Sequence, residues 1–208
     1  CYRAAMRKFR SSRLSGLRQS DIRGMSRESD RVGAINLGQG LSDLPTLDLV
    51  AAGARRAIAE HKSTYTYPEG ILPLRQAISK KLERDNQIQA DPEGEIVVTA
   101  GATAAFAATV TALLSPGDGI VILDPHYGYH VNASRFAGLE PQHMSLEGPK
   151  LVFSEEKLRA TVQENTRAIV VCTPSNPSGR MLSREDIEGI ARVAEEFDLL
   201  VITDEIYE

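Results

Sequence analysis

Residues 168–207 read AIVVCTPSNPSGRMLSREDIEGIARVAEEFDLLVITDEIY. Residues 168–172 are apolar throughout, and residues 199–203 are apolar up to the closing Thr203. A strand that is apolar at consecutive positions, not at alternate ones, is buried on both faces, as in a parallel sheet. Between the two runs, residues 184–197 carry the helical period, and Ser183 with Asp186 three residues on is close to a capping box. Strand, helix, strand in that order predicts a parallel pair joined by a crossover helix.

The pattern extends upstream. Residues 95–99 (EIVVT), 120–123 (IVIL) and more weakly 142–145 read as strands. Helices are expected at 51–61, 72–86, 102–114, 130–136 and 155–164. In the second of these, Leu74, Ile78 and Leu82 recur every four residues, and Pro73 suits a first turn. The helix at 102–114 is uncharged and rich in Ala and Thr, so burial on most sides is expected. The fold class is therefore α/β, with a mainly parallel sheet covered on both faces.

Composition narrows the function classes. The 208 residues include 24 Lys+Arg and 28 Asp+Glu, for a net charge of −4, with 42% hydrophobic and 25% charged residues. That is a globular composition, and no apolar run approaches the roughly 18 residues of a membrane span. Two distant cysteines, Cys1 and Cys172, exclude a disulfide scaffold and point to a reducing compartment, the cytoplasm. With four histidines in all, no His-rich metal centre is expected. Residues 1–31 hold nine basic and three acidic side chains, so this start carries +6 and the remainder −10. The start reads as a solvated arm or a targeting segment. The acidic body argues against a nucleic-acid partner.

In parallel α/β sheets, ligands bind beyond the carboxyl ends of the strands. Residues 95–99 run into Ala100-Gly-Ala-Thr103 and a helix start, which is either a packing turn or a phosphate cradle. Residues 120–123 lead to Asp124-Pro-His-Tyr127, where Tyr127 either lies over a flat ligand ring or packs in the core. After Cys172, two prolines hold Asn176 in one orientation, to serve a ligand or its own turn. Asp204 follows an apolar strand and needs a cationic partner, yet no Lys or Arg lies near it in sequence.

In this order and spacing, Ile35-Asn-Leu-Gly-Gln-Gly40, Tyr65 with Gly70 and Leu74-Arg75, Thr99-Ala-Gly-Ala-Thr103, Asp124-Pro-His-Tyr127, Asn176-Pro-Ser-Gly179 and Asp204-Glu-Ile-Tyr207 resemble the class I/II aminotransferases of fold type I. The resemblance covers residues 12–208, including an arm-like Arg13-Leu-Ser-Gly-Leu…Ser20-Asp-Ile-Arg23. It implies the three-layer α/β/α, mainly parallel large domain of a pyridoxal 5′-phosphate (PLP) enzyme, here truncated. Residues 1–45 would be an arm with part of the small domain, and residues 46–208 an incomplete PLP-binding domain.

The resemblance also implies roles. Gly101, Ala102 and Thr103 would hold the cofactor phosphate, and Tyr127 would lie against the pyridine ring. Asn176 and Tyr207 would bond its phenolic oxygen, and Asp204 its ring nitrogen. Gly40, with Asn176, would meet the substrate. Tyr65 would cross a homodimer interface to the neighbouring phosphate, so the active site would be shared. The substrates would be an amino acid and a 2-oxo acid. The family's Schiff-base lysine falls after Glu208, so no catalytic residue is assigned and the 208 residues alone are expected to be inactive. Either the chain is a piece of a longer enzyme, which the intact cofactor motifs favour, or it is a catalytically dead truncation. A PLP-dependent carbon–sulfur lyase on the same fold and a regulator with an aminotransferase-like domain are the alternatives.

Overall fold

The computed structural model describes residues 11–14, 21–40 and 42–208. Cys1, the basic residues at 3, 7, 8, 10 and 18, and the arm-like stretch at 15–20 lie outside the described residues. The described residues form two compact units, one of residues 21–100 and the other of residues 101–208 with 11–14. No helix among them is long and apolar enough to cross a membrane.

The first unit holds three helices. α1 (Asp21–Val32) lies within the segment expected to be a solvated arm, and Ile22, Met25 and Val32 mark its apolar stripe. α2 (Asp48–Ala59) has no buried residue, and it begins three positions before the expected start. α3 (Leu72–Lys81) carries Pro73 in its first turn and continues as a π-helical turn over Leu82–Asn86. Ser79 Oγ donates to the Ala90 carbonyl at 2.7 Å, tying the helix to the segment that follows.

Residues 95–99 correct an expectation: they form no strand. Val98 N–H donates to the Glu69 carbonyl at 3.0 Å, and no ladder develops. β propensity marks a segment that suits a sheet, whereas a strand exists only where a neighbour pairs with it.

The second unit is the layered one. α4 (Gly101–Leu113) leads into β1 (Gly119–Asp124), α5 (Gly128–Ala137), β2 (Glu140–Ser145), α6 (Glu155–Thr161), β3 (Thr166–Cys172), α7 (Arg184–Glu196) and β4 (Leu200–Asp204). The strands form a parallel sheet in the order β2-β1-β3-β4. Side chains alternate across it. Ile120, Ile122, Ala168 and Val170 face Phe106 and Val110 of α4 and Val131 and Ala133 of α5. Val121, Ile169 and Val171 face Leu158 of α6 and Ile190 and Val193 of α7. Helices thus cover both faces, giving the expected three layers.

Local signals hold at the helix ends. Ser183 and Asp186 form a reciprocal capping box on α7, and Ser154 caps α6 by accepting from Lys157 N–H at 3.2 Å. The expected burial of α4 on most sides does not hold, because only Phe106 and Val110 are buried. Alanine and threonine raise the apolar count without requiring enclosure, and the helix touches the sheet along one stripe. Burial throughout a strand is likewise confined to the inner pair, β1 and β3. β4 is an edge strand in which Leu200 and Val201 are exposed.

Candidate functional site

The strand order 2-1-3-4 reverses direction between β1 and β3, which makes a crevice at their carboxyl ends. A cleft of about 180 Å³ opens there, lined by Ala102, Thr103, Phe106, Tyr127, Tyr129, His130, Cys172, Asn176, Asp204, Ile206 and Tyr207. Ala102, Thr103, Tyr127, Asn176, Asp204 and Tyr207, singled out from sequence on four separate segments, therefore share one cavity. Gly101 begins the helix at its edge. Gly40 and Tyr65 belong to the other unit, where both are exposed.

Each wall has a local cause. Gly101 takes a φ of +78°, which strains any residue with a Cβ, and nothing lies within 4 Å of where that atom would sit. The demand for glycine is thus conformational, at the start of α4, where the helix dipole is positive. The loop after β3 is held by Ser175 N–H to the Arg180 carbonyl at 2.9 Å and Gly179 N–H to the Ser175 carbonyl at 2.7 Å. Arg180 itself is anchored on Asp186 at 3.0 Å. Tyr129 donates to the Thr103 carbonyl at 2.8 Å, joining α5 to the first turn of α4. Burial, then the neighbouring Tyr127, raises the Tyr129 phenol, which stays protonated and remains a donor.

The partner that Asp204 lacked in sequence is His130, 74 residues away. His130 Nε2 lies 2.9 Å from Asp204 Oδ2, and Ile206 N–H donates to Oδ1 at 3.3 Å. An ionised carboxylate only accepts, so Nε2 carries the imidazole proton. His130 is buried, with its ring 4.8 Å from Phe106 and edge-on to Tyr127 at 5.5 Å. Burial pushes its pKa below the ordinary value, and Asp204 opposes the shift. The pair is therefore a neutral donor fixing a carboxylate, not an ion pair. Sequence reasoning missed His130; its position three residues after Tyr127, on the following helix, was the available signal.

The lowered pKa gives a stability prediction with a definite sign. The unfolded chain takes up this proton as pH falls below about 6.5, while the folded chain resists until its lower value. Stability on this account is intact above that pH and declines below it. His130→Gln should flatten this acid limb, read from thermal melts of wild type and variant between about pH 7 and pH 5. Equal slopes would exclude His130 as the cause.

Cys172 lines the same cleft but is not primed as a nucleophile. Burial is the main cause of a raised thiol pKa, and Sγ lies 3.5 Å from the Pro174 carbonyl as a weak donor.

The sequence matches the family described as aminotransferase class I and II over residues 32–208. This chain belongs to that family. It is 37% identical over 186 residues to the probable N-succinyldiaminopimelate aminotransferase DapC of Mycobacterium tuberculosis, covering 88% of this chain and 47% of that relative. It is also 37% identical to the aspartate/prephenate aminotransferase of Thermus thermophilus, covering 85% and 46%. The solved structure of the M. tuberculosis N-succinyldiaminopimelate aminotransferase superposes with a TM-score of 0.89 at 35% identity, over 95% of this chain and 52% of that one. The chain spans about half the length of the relatives it matches. The family in general implies PLP as cofactor, and the cleft's donor set suits it: a carboxylate for a ring nitrogen, an amide and a phenol for a ring oxygen, and a helix start for a phosphate.

Proposed function

We propose that the protein carrying this sequence transfers an amino group between an amino acid and a 2-oxo acid, with PLP as cofactor, as a cytoplasmic homodimer. Asp204, held by buried His130 in the wall of a cleft that also contains the start of α4, carries this reading. PLP, when bound, supplies an electron sink for the charge left at the substrate's α-carbon. Asp204 keeps a proton on the ring nitrogen, which is what makes the ring accept that charge. His130 positions Asp204. Asn176 and Tyr207 donate to the phenolic oxygen, and Tyr127 covers one face of the ring. The N–H groups at Gly101, Ala102 and Thr103 hold the phosphate against the helix dipole. Gly40 offers its N–H to the substrate carboxylate, and Tyr65 reaches the neighbouring subunit. In the same reading, residues 46–208 make up the cofactor-binding domain and residues 1–45 an arm with part of a small domain.

The test has two arms. The 208-residue chain, titrated with PLP, should show a saturable change in cofactor absorbance that Asn176→Ala weakens about tenfold. The protein from the complete gene should then form a new 2-oxo acid only when both an amino donor and a 2-oxo acceptor are present. Ammonia released without an acceptor would replace transfer by lyase chemistry, and no saturable PLP binding would overturn the reading.

A further inference from the structure

One polar cluster lies outside the cofactor constellation. Asp124 closes β1, and His143 sits on the edge strand β2 opposite Ile122, two residues before Asp124, so the two share a sheet face as diagonal neighbours. His126 follows Asp124 by two residues. Its Nδ1 lies 2.5 Å from Asp124 Oδ1, and His143 Nδ1 lies 3.1 Å from both carboxylate oxygens. The two imidazoles are 5.2 Å apart at 47°, and the three ligand atoms all fall within 4.8 Å of one another. Their side chains are 25%, 26% and 35% exposed for Asp124, His126 and His143, so the cluster is open to small solutes.

We propose that Asp124, His126 and His143 form a binding site for a divalent transition metal ion of the zinc class. Zinc bonds of roughly 2.0–2.2 Å to nitrogen and oxygen place tetrahedral ligand atoms about 3.3 Å apart. The His143–carboxylate separations of 3.1 Å already lie close to that. The His126–carboxylate contact, now 2.5 Å, opens by about 0.8 Å, and the two nitrogens close by no more than about 1.5 Å. Two imidazoles and one carboxylate are a borderline donor set that suits zinc, nickel or cobalt, not magnesium or calcium. A fourth position stays open to water. Both histidines aim the same nitrogen, Nδ1, at one carboxylate, His126 from the loop after β1 and His143 from β2. A carboxylate that only oriented one imidazole would need no second.

The site has a structural consequence. A bound ion ties the segment after β1 to edge strand β2, and Tyr127 is the next residue after His126. The ion thereby fixes the start of α5, the helix that carries His130.

The experiment uses the tag-free protein without PLP, so that neither a tag nor the cofactor can supply the ligands. Cobalt(II) is the probe. One equivalent per chain should develop a ligand-field absorption band that zinc(II) abolishes by displacement, and zinc should raise the melting temperature. His143→Ala and His126→Ala should each weaken cobalt binding at least about tenfold with unchanged far-UV circular dichroism. His61→Ala, in the other unit, should leave it unaltered. Should an alanine variant fail to fold, Asp124→Asn reads the same loss. No cobalt binding by wild type, or binding retained in His143→Ala and His126→Ala alike, overturns the proposal. Because no PLP is present, its failure is separate from failure of the proposed transferase function.

Discussion

In the amino-group-transferring protein proposed to carry this sequence, replacing Asp204 with asparagine is expected to lower transamination about 10²–10³-fold while the fold stays intact. The amide is nearly the same shape as the carboxylate. Its oxygen can still accept from His130 Nε2 at the present 2.9 Å, so the buried imidazole keeps its partner. What changes is the second position, where an N–H donor replaces the negative Oδ1, and with it the weak contact from Ile206 N–H at 3.3 Å is lost. A ring nitrogen facing a donor has no reason to hold a proton, and the stabilisation of charge at the substrate's α-carbon goes with it. Phosphate affinity, which the proposed function assigns to the start of α4, should change much less. Turnover and cofactor occupancy measured separately check this. A variant that keeps more than about a tenth of wild-type turnover at full occupancy would remove Asp204 from the role assigned to it.

Arg75→Ala is expected to destabilise its unit by about 3–5 kcal/mol. Arg75 is 5% exposed, with Glu69 its nearest carboxylate at 3.6 Å. Its guanidinium instead donates to backbone: Nε to the Gly70 carbonyl at 3.1 Å, and Nη1 to the carbonyls of Pro92 and Glu93. Truncation strips three acceptors of a charged donor and opens a void at α3. Neutral hydrogen bonds contribute about 1 kcal/mol net and charge-assisted ones more, so the loss is a large part of a typical 5–15 kcal/mol. Lysine cannot restore it, because one ammonium does not reproduce the planar fork that spans residues 70 and 92. Gly70 is part of the same device: its φ is +98°, and a Cβ there would meet Val98 at 2.8 Å. Denaturant midpoints and amide exchange over residues 70–95 read the effect. A shift below about 1 kcal/mol would mean that the carbonyls rehydrate without cost.

Arg75 also shows a limit of sequence reading. The motif Leu74-Arg75 could be recognised, but nothing in it told that the arginine is buried and holds backbone. That fact depends on Pro92 and Glu93, 17 and 18 residues further on.

Whatever depends on near neighbours along the chain was legible from residue types and their spacing. The apolar runs of β1 and β3, the helices between them and the capping box of Ser183 and Asp186 all follow from spacing within a few residues. So does the placing of Thr103, Tyr127, Asn176 and Asp204 just beyond apolar segments. Tertiary structure decided what depends on a distant partner. Residues 95–99 have strand composition but no ladder, because pairing needs a neighbour that composition cannot supply. α4 looks fit for burial, yet it meets the sheet along one stripe. Asp204 is satisfied by His130, and His143 joins the neighbouring His126 on Asp124, only because parallel strands bring their carboxyl ends to one edge. Hydrogen bonds and metal ligands act over about 2–3 Å in space, and the folded sheet sets that distance across 19 to 74 residues of chain.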